Sequence, residues 1–391
     1  MRPSRLEKLA AELAARRVGS LYRNRLVLDS PQGKRVRVGA EELLSFCSND
    51  YLGLANHPRV IAAFKAAADR YGVGAGASHL VSGHSAAHHA LEEELAAFVG
   101  APRALLFSTG YMANLGVVAA LTDRHDTIFE DRLNHASLID AARLARAAVR
   151  RYAHGDVTQL ARLLAKTAGE KLIVTDAVFS MDGDVAPLRE ILHLAGEHGA
   201  WLLADDAHGL GVLGDGGRGS FEHLDLVVRP PAILMGTLGK ALGGFGAFVA
   251  ADEIIVETLI QCARTYIYTT ALPPAVAEAV RAALRVAQQE PWRRERLRAL
   301  LDRFRRGAEQ LGLSLAPSHT PIQPLILGDS GAALAASQAL RARGMLVPAI
   351  RPPTVPPGAA RLRITLSAAH DAIDIDRLLE ALASLPSSAA P

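Results

Sequence analysis

Short apolar runs alternate with amphipathic helical segments along the middle of the chain. The runs that predict strands are residues 104–107, 127–129, 171–175, 201–204, 232–235 and 246–250. The segments that predict helices between them include residues 138–150, 157–166 and 188–198. This alternation indicates right-handed βαβ units and an α/β fold with a mostly parallel central sheet flanked by helices. Ligands of such sheets bind beyond the carboxyl ends of the strands, so the residues after each strand form the candidate site.

The pattern differs at the two ends of the chain. Residues 1–50 predict an amphipathic N-terminal helix, with Ser4 and Glu7 in a capping-box pattern, and then a short lead-in segment with strands. Residues 51–290 form the predicted large α/β domain, and residues 291–391 a smaller α+β C-terminal domain. The C-terminal helices are expected at 291–311, 332–343 and 374–385, and the strands at 324–327, 345–350 and 361–365. The tail, residues 386–391, is expected to be disordered.

Composition and charge exclude several classes of protein. Half of the 391 residues are hydrophobic and 33 are glycine, which suits a globular enzyme. The net charge of +3 is too small and too dispersed for a nucleic-acid-binding protein. The longest uncharged stretch, residues 104–122, is interrupted by polar residues and glycine, and predicts a buried strand and helix in place of a membrane span. Because no apolar signal sequence and no cysteine framework are visible, we expect a cytoplasmic protein.

Lys240 is the single charged residue within residues 232–250, an apolar and glycine-rich stretch. The chain contains only six lysines and uses arginine nearly everywhere else. A lysine in an apolar setting can lose its proton and act as a nucleophile, whereas arginine stays charged. The stretch alone does not distinguish this nucleophile from a lysine at a strand end whose ammonium group reaches solvent.

Polar groups of complementary chemistry follow several of the predicted strands. They provide an anion site at a helix N-terminus, a carboxylate, two imidazoles and an amine. Pyridoxal phosphate needs such a set for its phosphate, its ring nitrogen, its ring face and phenolic oxygen, and its aldehyde. The residues are Gly110, Tyr111 and Thr237 for the anion, Asp205 for the carboxylate, His135 and His208 for the imidazoles, and Lys240 for the amine.

Four motifs resemble those of the α-oxoamine synthases. They are Ser-Asn-Asp-Tyr-Leu-Gly-Leu at 48–54, Ser-Met-Asp-Gly-Asp at 180–184, Asp-Asp-Ala-His-Gly at 205–209, and Gly-Thr-Leu-Gly-Lys at 236–240. Members of this family are fold-type I pyridoxal-phosphate enzymes that join an amino acid to an acyl thioester with loss of CO2. The resemblance covers nearly the whole chain in order, and it implies a homodimer with shared active sites.

The resemblance also implies a role for each candidate residue. At the cofactor, Lys240 bonds to the aldehyde, Asp205 pairs with the ring nitrogen, His135 stacks on the ring, and His208 and Ser180 hold the phenolic oxygen. Its phosphate is bound by Gly110, Tyr111 and Thr237, and by Thr269 or Thr270 of a neighbouring subunit. At the substrates, Arg351 binds the amino acid's carboxylate, and Arg23, Asn49 and Thr354 line the acyl side. His135 is expected to contact substrate as well as cofactor.

Residues 80–84, 322–329 and 349–356 are closest to family members that use L-alanine and a pimeloyl thioester. In the implied reaction L-alanine displaces Lys240, and the freed amine then removes the α-proton. The acyl group comes from a thioester of coenzyme A or of an acyl carrier protein. One departure from the family is Asp176, where we expect glutamate, so the role of this shorter side chain stays open.

Other functions also stay open at this point. Another α-oxoamine synthase, which uses glycine or serine with an acetyl, succinyl or long-chain acyl thioester, shares every residue above except the acyl pocket. A metal-dependent hydrolase would use Asp205, Asp206, His208 and His135, but their spacing is not that of a ligand set and Lys240 would be unexplained. A pyridoxal-fold protein that binds without turnover is the third alternative.

Overall fold

The computed structural model describes residues 4–385, which divide into two compact units. The larger unit contains Asp50–Ser180 and Asp184–Glu295, and the smaller one contains residues 4–49, Met181–Gly183 and residues 296–385. The predicted tail at residues 386–391 lies outside the described residues. None of the helices between residues 4 and 385 combines the length and apolarity that crossing a bilayer requires.

The described residues contain helices and strands at the predicted positions, and also some that the sequence pattern did not predict. The helices are α1 (Arg5–Val18), α2 (Pro58–Tyr71), α3 (Ala86–Val99), α4 (Gly110–Leu121), α5 (Ala136–Leu144), α6 (Val157–Ala165), α7 (Leu188–Glu197), α8 (Ser220–His223), α9 (Glu253–Cys262), α10 (Arg264–Ile267), α11 (Pro274–Gln289), α12 (Trp292–Gln310), α13 (Ser330–Ala342) and α14 (Ala372–Ala383). The strands are β1 (Arg35–Val38), β2 (Glu41–Ser45), β3 (Arg103–Phe107), β4 (Thr127–Asp131), β5 (Ala148–Tyr152), β6 (Lys171–Asp176), β7 (Ala200–Asp205), β8 (Ala232–Thr237), β9 (Ala247–Ala251), β10 (Ile322–Gly328), β11 (Met345–Leu346), β12 (Ala349–Ile350) and β13 (Ala360–Thr365). The elements that were not predicted are α8 to α11 and β5.

The larger unit is built on a seven-stranded sheet with the strand order β3-β9-β8-β7-β6-β4-β5. Only β9 runs antiparallel to its neighbours, so the predicted mostly parallel sheet is confirmed. Alternate strand residues face opposite sides: Leu172 and Val174 pack in one apolar cluster with α4, α5 and α9, and Ile173 in another with α6 and α7. Because both faces are covered, the strands read as continuous apolar runs in the sequence.

The predicted helix at residues 138–150 is wrong in its second half. Helix α5 ends at Leu144, Arg146 has a φ of 63°, and the chain then enters β5, which pairs in parallel with β4 at the sheet edge. Strand residues such as Val149 and Tyr152 suit a pleated surface, and β4 supplies hydrogen-bond partners for their main chain. Pairing with a neighbouring strand therefore outweighs the helical pattern here.

The smaller unit contains two three-stranded sheets, β1-β2-β11 and β10-β13-β12. The predicted strand at 345–350 is divided between them, because Pro348 lies between β11 and β12 and has no N–H to donate to a ladder. Helix α1 begins with the predicted capping box of Ser4 and Glu7. Its three leucines on one face, Leu6, Leu9 and Leu13, are all exposed.

Candidate active site

Lys240 follows β8 and forms one end of a chain of hydrogen bonds. Its Nζ lies 2.9 Å from Nε2 of His208, and Nδ1 of the same imidazole lies 2.7 Å from the hydroxyl of Tyr51. His208 and Tyr51 are buried, and Lys240 is half-buried. Two proton arrangements satisfy both bonds, since either Tyr51 or the amine can donate to the imidazole while the other ring nitrogen donates onward.

Asp205 lies at the carboxyl end of β7 and is buried. Its Oδ2 accepts from Nδ2 of Asn114 at 2.7 Å, and its Oδ1 accepts from the N–H of Ala207 at 3.0 Å. Both donors are neutral, and among residues 4–385 no side chain forms an ion pair with Asp205. A buried carboxylate without a cation is unfavourable, so this site suits a ligand that carries a positive charge.

His135 is the N-cap residue of α5, and its ring is exposed on one side. Its Nδ1 lies 2.8 Å from Oγ of Ser137, and this hydroxyl accepts from Nδ2 of Asn114 at 2.8 Å. Asn114 therefore connects His135 with Asp205 through a single amide. The protein atoms around the ring lower the pKa of His135, mainly by desolvation, which favours a neutral imidazole with one open face.

Asp176 is the last residue of β6, at the position where the resemblance predicts glutamate. Its Oδ2 accepts from the main-chain N–H of His135 at 2.6 Å. Burial and the nearby charge of Asp205 raise the pKa of Asp176 well above its usual value. Asp176 thus positions the main chain at His135, and burial beside Asp205 disfavours its charged form.

Asp206 has a different task from its neighbour Asp205. Its two carboxylate oxygens accept from the N–H of Ser220 at 2.7 Å and from the hydroxyl of Ser220 at 2.6 Å. Burial raises the pKa of Asp206 to about 7. Asp206 therefore connects the segment after β7 to the start of α8.

The helix N-terminus predicted as an anion site is that of α4. Gly110 and Tyr111 occupy its first turn, and the side chain of the N-cap Thr109 accepts from the N–H of Met112. The N–H groups of Gly110 and Tyr111 have no acceptor within the helix, because the first turn of any helix provides none. The hydroxyl of Tyr111 donates to Asp140. Thr237, at the end of β8, donates its hydroxyl to the carbonyl of Gly246 at 3.1 Å.

The remaining cofactor candidates lie in loops of the same unit. Ser180 is half-buried in the turn after β6. Thr269 is half-buried and Thr270 is exposed, both directly after α10 and the exposed Tyr268.

Apart from His135, the candidate substrate residues belong to the smaller unit, where the structure brings three of them together. Nη2 of Arg23 donates to Oγ1 of Thr354 at 3.0 Å, and Arg351 donates to the main-chain carbonyls of Ser20 and Tyr22. Arg23, Arg351 and Thr354 line a cavity of about 50 Å³. Burial and the charge of Arg23 lower the pKa of Arg351, so these guanidinium groups are close enough to favour a bound anion. The fourth candidate, Asn49, accepts from Nη1 of Arg363 at 3.2 Å.

Tyr51, Asn114 and Ser137 are functional candidates that sequence reasoning did not single out. Tyr51 lies within the quoted motif at 48–54, and its bond to His208 joins residues 157 positions apart. Asn114 lies in the apolar helix α4, where one buried amide among aliphatic residues is a usable signal. The hydrolase alternative finds no support, because the groups in residues 4–385 that are spaced to hold a metal include none of Asp205, Asp206, His208 and His135.

Comparisons with known proteins show which proteins this chain resembles. The family model for aminotransferase class I and II matches residues 41–382. A curated 8-amino-7-oxononanoate synthase of Nitrosococcus oceani is 60% identical over 372 residues, which cover 95% of this chain and 99% of the relative. A solved serine palmitoyltransferase from S. paucimobilis with a bound PLP–myriocin aldimine has a TM-score of 0.93, 29% identity and 99% coverage of both chains. The solved 8-amino-7-oxononanoate synthase from Francisella tularensis has a TM-score of 0.77 and 33% identity, over 87% of this chain and 97% of that one.

Proposed function

The chain belongs to the aminotransferase class I and II family, and we propose that it works there as a pyridoxal-phosphate-dependent 8-amino-7-oxononanoate synthase. The reaction joins L-alanine to a pimeloyl thioester and yields 8-amino-7-oxononanoate, CO2 and the free thiol. The observation that carries the proposal is 60% identity to a curated synthase over 95% of the chain. The arrangement of Lys240, His208 and Asp205 at the carboxyl edge of the sheet supports it.

Each part of the cofactor has a partner in the larger unit. Lys240 would hold the aldehyde carbon, Asp205 the ring nitrogen and His135 the ring face. The remaining partners would be His208 and Ser180 at the phenolic oxygen, and Gly110, Tyr111 and Thr237 at the phosphate. When bound, pyridoxal phosphate supplies an electron sink for the negative charge that develops on the amino acid. The uncompensated, buried carboxylate of Asp205 fits the positive ring nitrogen that this sink requires.

Lys240 is the proposed base for the α-proton of L-alanine. Its amine must be neutral for this task, and Nε2 of His208 at 2.9 Å is the group that can exchange a proton with it. The hydroxyl of Tyr51 keeps the imidazole in place and accepts or donates at Nδ1. Tyr51 is therefore a positioning residue that acts on Lys240 through His208.

Substrate recognition is proposed for the polar residues of the smaller unit. Arg351 would bind the carboxylate of L-alanine, and Arg23 the free carboxylate at the far end of the pimeloyl chain. Thr354, which accepts from Arg23, keeps that guanidinium in place, and Asn49 lines the acyl side. The thioester is carried by coenzyme A or by an acyl carrier protein.

We also propose a cytoplasmic homodimer in which Thr269 or Thr270 of each subunit contacts the phosphate bound by the other. Both residues follow Tyr268, whose side chain is exposed in the single chain. Sedimentation of the protein at decreasing concentration, combined with turnover measurements, tests this assembly. An active monomer that retains the cofactor would contradict it.

A competition between substrate pairs tests the proposed reaction. The purified protein is supplied with L-alanine and pimeloyl thioester, with glycine and acetyl-CoA, and with L-serine and palmitoyl-CoA, and products are identified by mass spectrometry. The last pair represents the second candidate, a serine palmitoyltransferase, which the TM-score of 0.93 to such an enzyme favours. We expect 8-amino-7-oxononanoate as the dominant product. Faster turnover of either other pair would refute the assignment.

A further inference from the structure

A cluster of histidines lies where a π-helical turn, His79–Gly83, leads into α3. It is separate from the residues assigned above to the cofactor and to the substrates. Two groups of its side chains have ligand atoms within 4.8 Å of one another, as the binding of one metal ion requires. One group is His79, His84 and His88, and the other is His84, His89 and Glu92.

The hydrogen bonds of His88 exclude the first group. Its Nδ1 accepts from the main-chain N–H of Ser85 at 3.0 Å, which leaves the ring proton on Nε2. Nε2 then donates to the carbonyl of Leu272 at 2.7 Å. Both nitrogens of His88 are thus used within the protein, and a metal would have to displace a helix-capping bond or a buried one.

The second group has the lone pairs that the first lacks. Oε1 of Glu92 accepts from the N–H of Leu106 at 2.9 Å, whereas Oε2 lies 3.9 Å from Nε2 of His84. Nδ1 of His84 lies 3.0 Å from Nδ1 of His79. If His84 donates from Nδ1 to His79, its Nε2 is unprotonated and faces the carboxylate oxygen. A metal-binding histidine is usually oriented by a hydrogen bond that its other ring nitrogen donates.

The spacing of these two acceptors suits a cation between them. A tetrahedral zinc ion about 2.0–2.2 Å from both a histidine nitrogen and a carboxylate oxygen holds these atoms roughly 3.4 Å apart. Nε2 of His84 and Oε2 of Glu92, which lie 3.9 Å apart, would therefore approach by about 0.5 Å on binding. His89 lies three residues before Glu92, on the same face of α3, and 67% of its side chain is exposed. A ligand nitrogen of His89 lies within 4.8 Å of the other two ligand atoms, so the ring can complete the set, and water can occupy a fourth position.

We propose that His84, His89 and Glu92 form a surface site for a divalent transition metal, with zinc as the preferred ion. Two imidazoles and one carboxylate are ligands that zinc accepts with an open fourth position. Bound metal would connect the segment before α3, which carries His84, to the first turns of that helix. This site is independent of the proposed reaction, so its test does not depend on turnover.

Metal binding is measured on tag-free holoenzyme that has been treated with a chelator and dialysed. Equilibrium dialysis against zinc chloride, followed by elemental analysis, gives the stoichiometry and affinity, and cobalt chloride gives a visible spectrum of the same site. We expect one zinc ion per chain, and at least a roughly tenfold loss of affinity in His89→Gln and in Glu92→Gln. Both variants should fold, since His89 is exposed and a glutamine amide can still accept from Leu106.

His193→Gln is the matched control. Nε2 of His193 lies 3.4 Å from Oε1 of Glu197, four residues later in α7. Nε2 of His89 lies at the same distance from Oε1 of Glu93 in α3, and both histidines are largely exposed. This variant should bind zinc as the wild type does. Equal zinc binding by the wild type and His89→Gln would overturn the proposal. So would loss of binding in His88→Gln while His89→Gln keeps it, because that result assigns the metal to the other group.

Discussion

The carboxyl edge of the seven-stranded sheet and the arginine cavity of the smaller unit hold their functional side chains by different means. At the sheet edge, Asp205 and His208 are buried. Asp205 bonds to Asn114, which also bonds to Ser137, and His208 bonds to both Lys240 and Tyr51. In the cavity, Arg351 bonds to main-chain carbonyls and Arg23 to one hydroxyl. The first arrangement leaves little freedom to change one residue alone, whereas the second can exchange a guanidinium contact for a substrate contact.

This difference separates the residues proposed for catalysis from the residues proposed for substrate selection. A buried network fixes the positions of groups that move protons, and any change in it affects the reacting atoms directly. Half-exposed arginines recognise a carboxylate by charge and direction, and their loss affects the substrate that carries that carboxylate. Substitutions at the sheet edge should therefore abolish or slow every reaction, and substitutions in the cavity should alter preference among substrates.

The largest effect is expected from Lys240→Ala. Without its amine the chain loses both the proposed covalent attachment of the cofactor and the proposed base for the α-proton, and general acid–base catalysis alone contributes roughly 10²–10⁴-fold. Turnover of L-alanine should fall by at least that factor. Borohydride treatment and peptide mapping should place pyridoxyl on Lys240 in the wild type and on no peptide of the variant. Lys65→Ala, at an exposed lysine of α2, should behave as the wild type does.

Asp205→Asn and Asp206→Asn form a pair that separates function from stability. Loss of one partner from a buried charge pair costs about 3–5 kcal/mol, so Asp205→Asn should weaken cofactor binding by roughly 10²–10⁴-fold. Asp206→Asn removes an acceptor for Ser220 and should lower the thermal midpoint while cofactor affinity is largely retained. Absorbance titration with pyridoxal phosphate and thermal unfolding measure the two quantities. Equal loss of cofactor affinity in both variants would contradict these roles.

Arg23→Ala should change substrate preference. A hydrogen bond to a charged group contributes about 1.5–3 kcal/mol, so kcat/KM for pimeloyl thioester should fall roughly 10–100-fold. Use of heptanoyl thioester, which has no terminal carboxylate, should change little, and L-alanine binding should stay at the wild-type level. Arg25→Ala is the control, because Arg25 is an exposed neighbour that does not line the cavity. An unchanged pimeloyl-to-heptanoyl ratio would remove Arg23 as the selecting residue.

Tyr51→Phe should have the smallest effect. The change keeps the buried ring and removes one hydrogen bond to Nδ1 of His208, which contributes about 0.5–1.5 kcal/mol. We expect kcat to fall by roughly 2–10-fold, with KM for L-alanine nearly constant. Because Tyr51 acts through His208, the pH profile of kcat should shift as well. Tyr152→Phe, at a buried tyrosine whose hydroxyl has no hydrogen-bond partner among residues 4–385, should leave the profile unchanged.

The fold, and the place of the candidate cofactor residues at the sheet edge, could be predicted because both depend on local patterns. Apolar runs bounded by polar groups predicted β4, β6, β7 and β8, and the residues just beyond them are His135, Asp205, His208 and Lys240. Their approach to one edge follows from parallel strand order alone. Strand β5 was not predictable in this way, because only pairing with β4 distinguishes its residues from a continuation of α5.

The partners of these residues depend on contacts across long stretches of chain. Tyr51 reaches His208 over 157 positions, Asn114 reaches Asp205 over 91, and Arg23 reaches Thr354 over 331. The sequence by itself determined that a carboxylate, two imidazoles and an amine lie at one edge of the sheet. Only the tertiary structure decided which hydroxyl faces His208, which of two adjacent aspartates bonds to Asn114 and which to Ser220, and which histidines near α3 keep a lone pair. These choices depend on distance and direction between side chains, which hydrophobic periodicity does not encode.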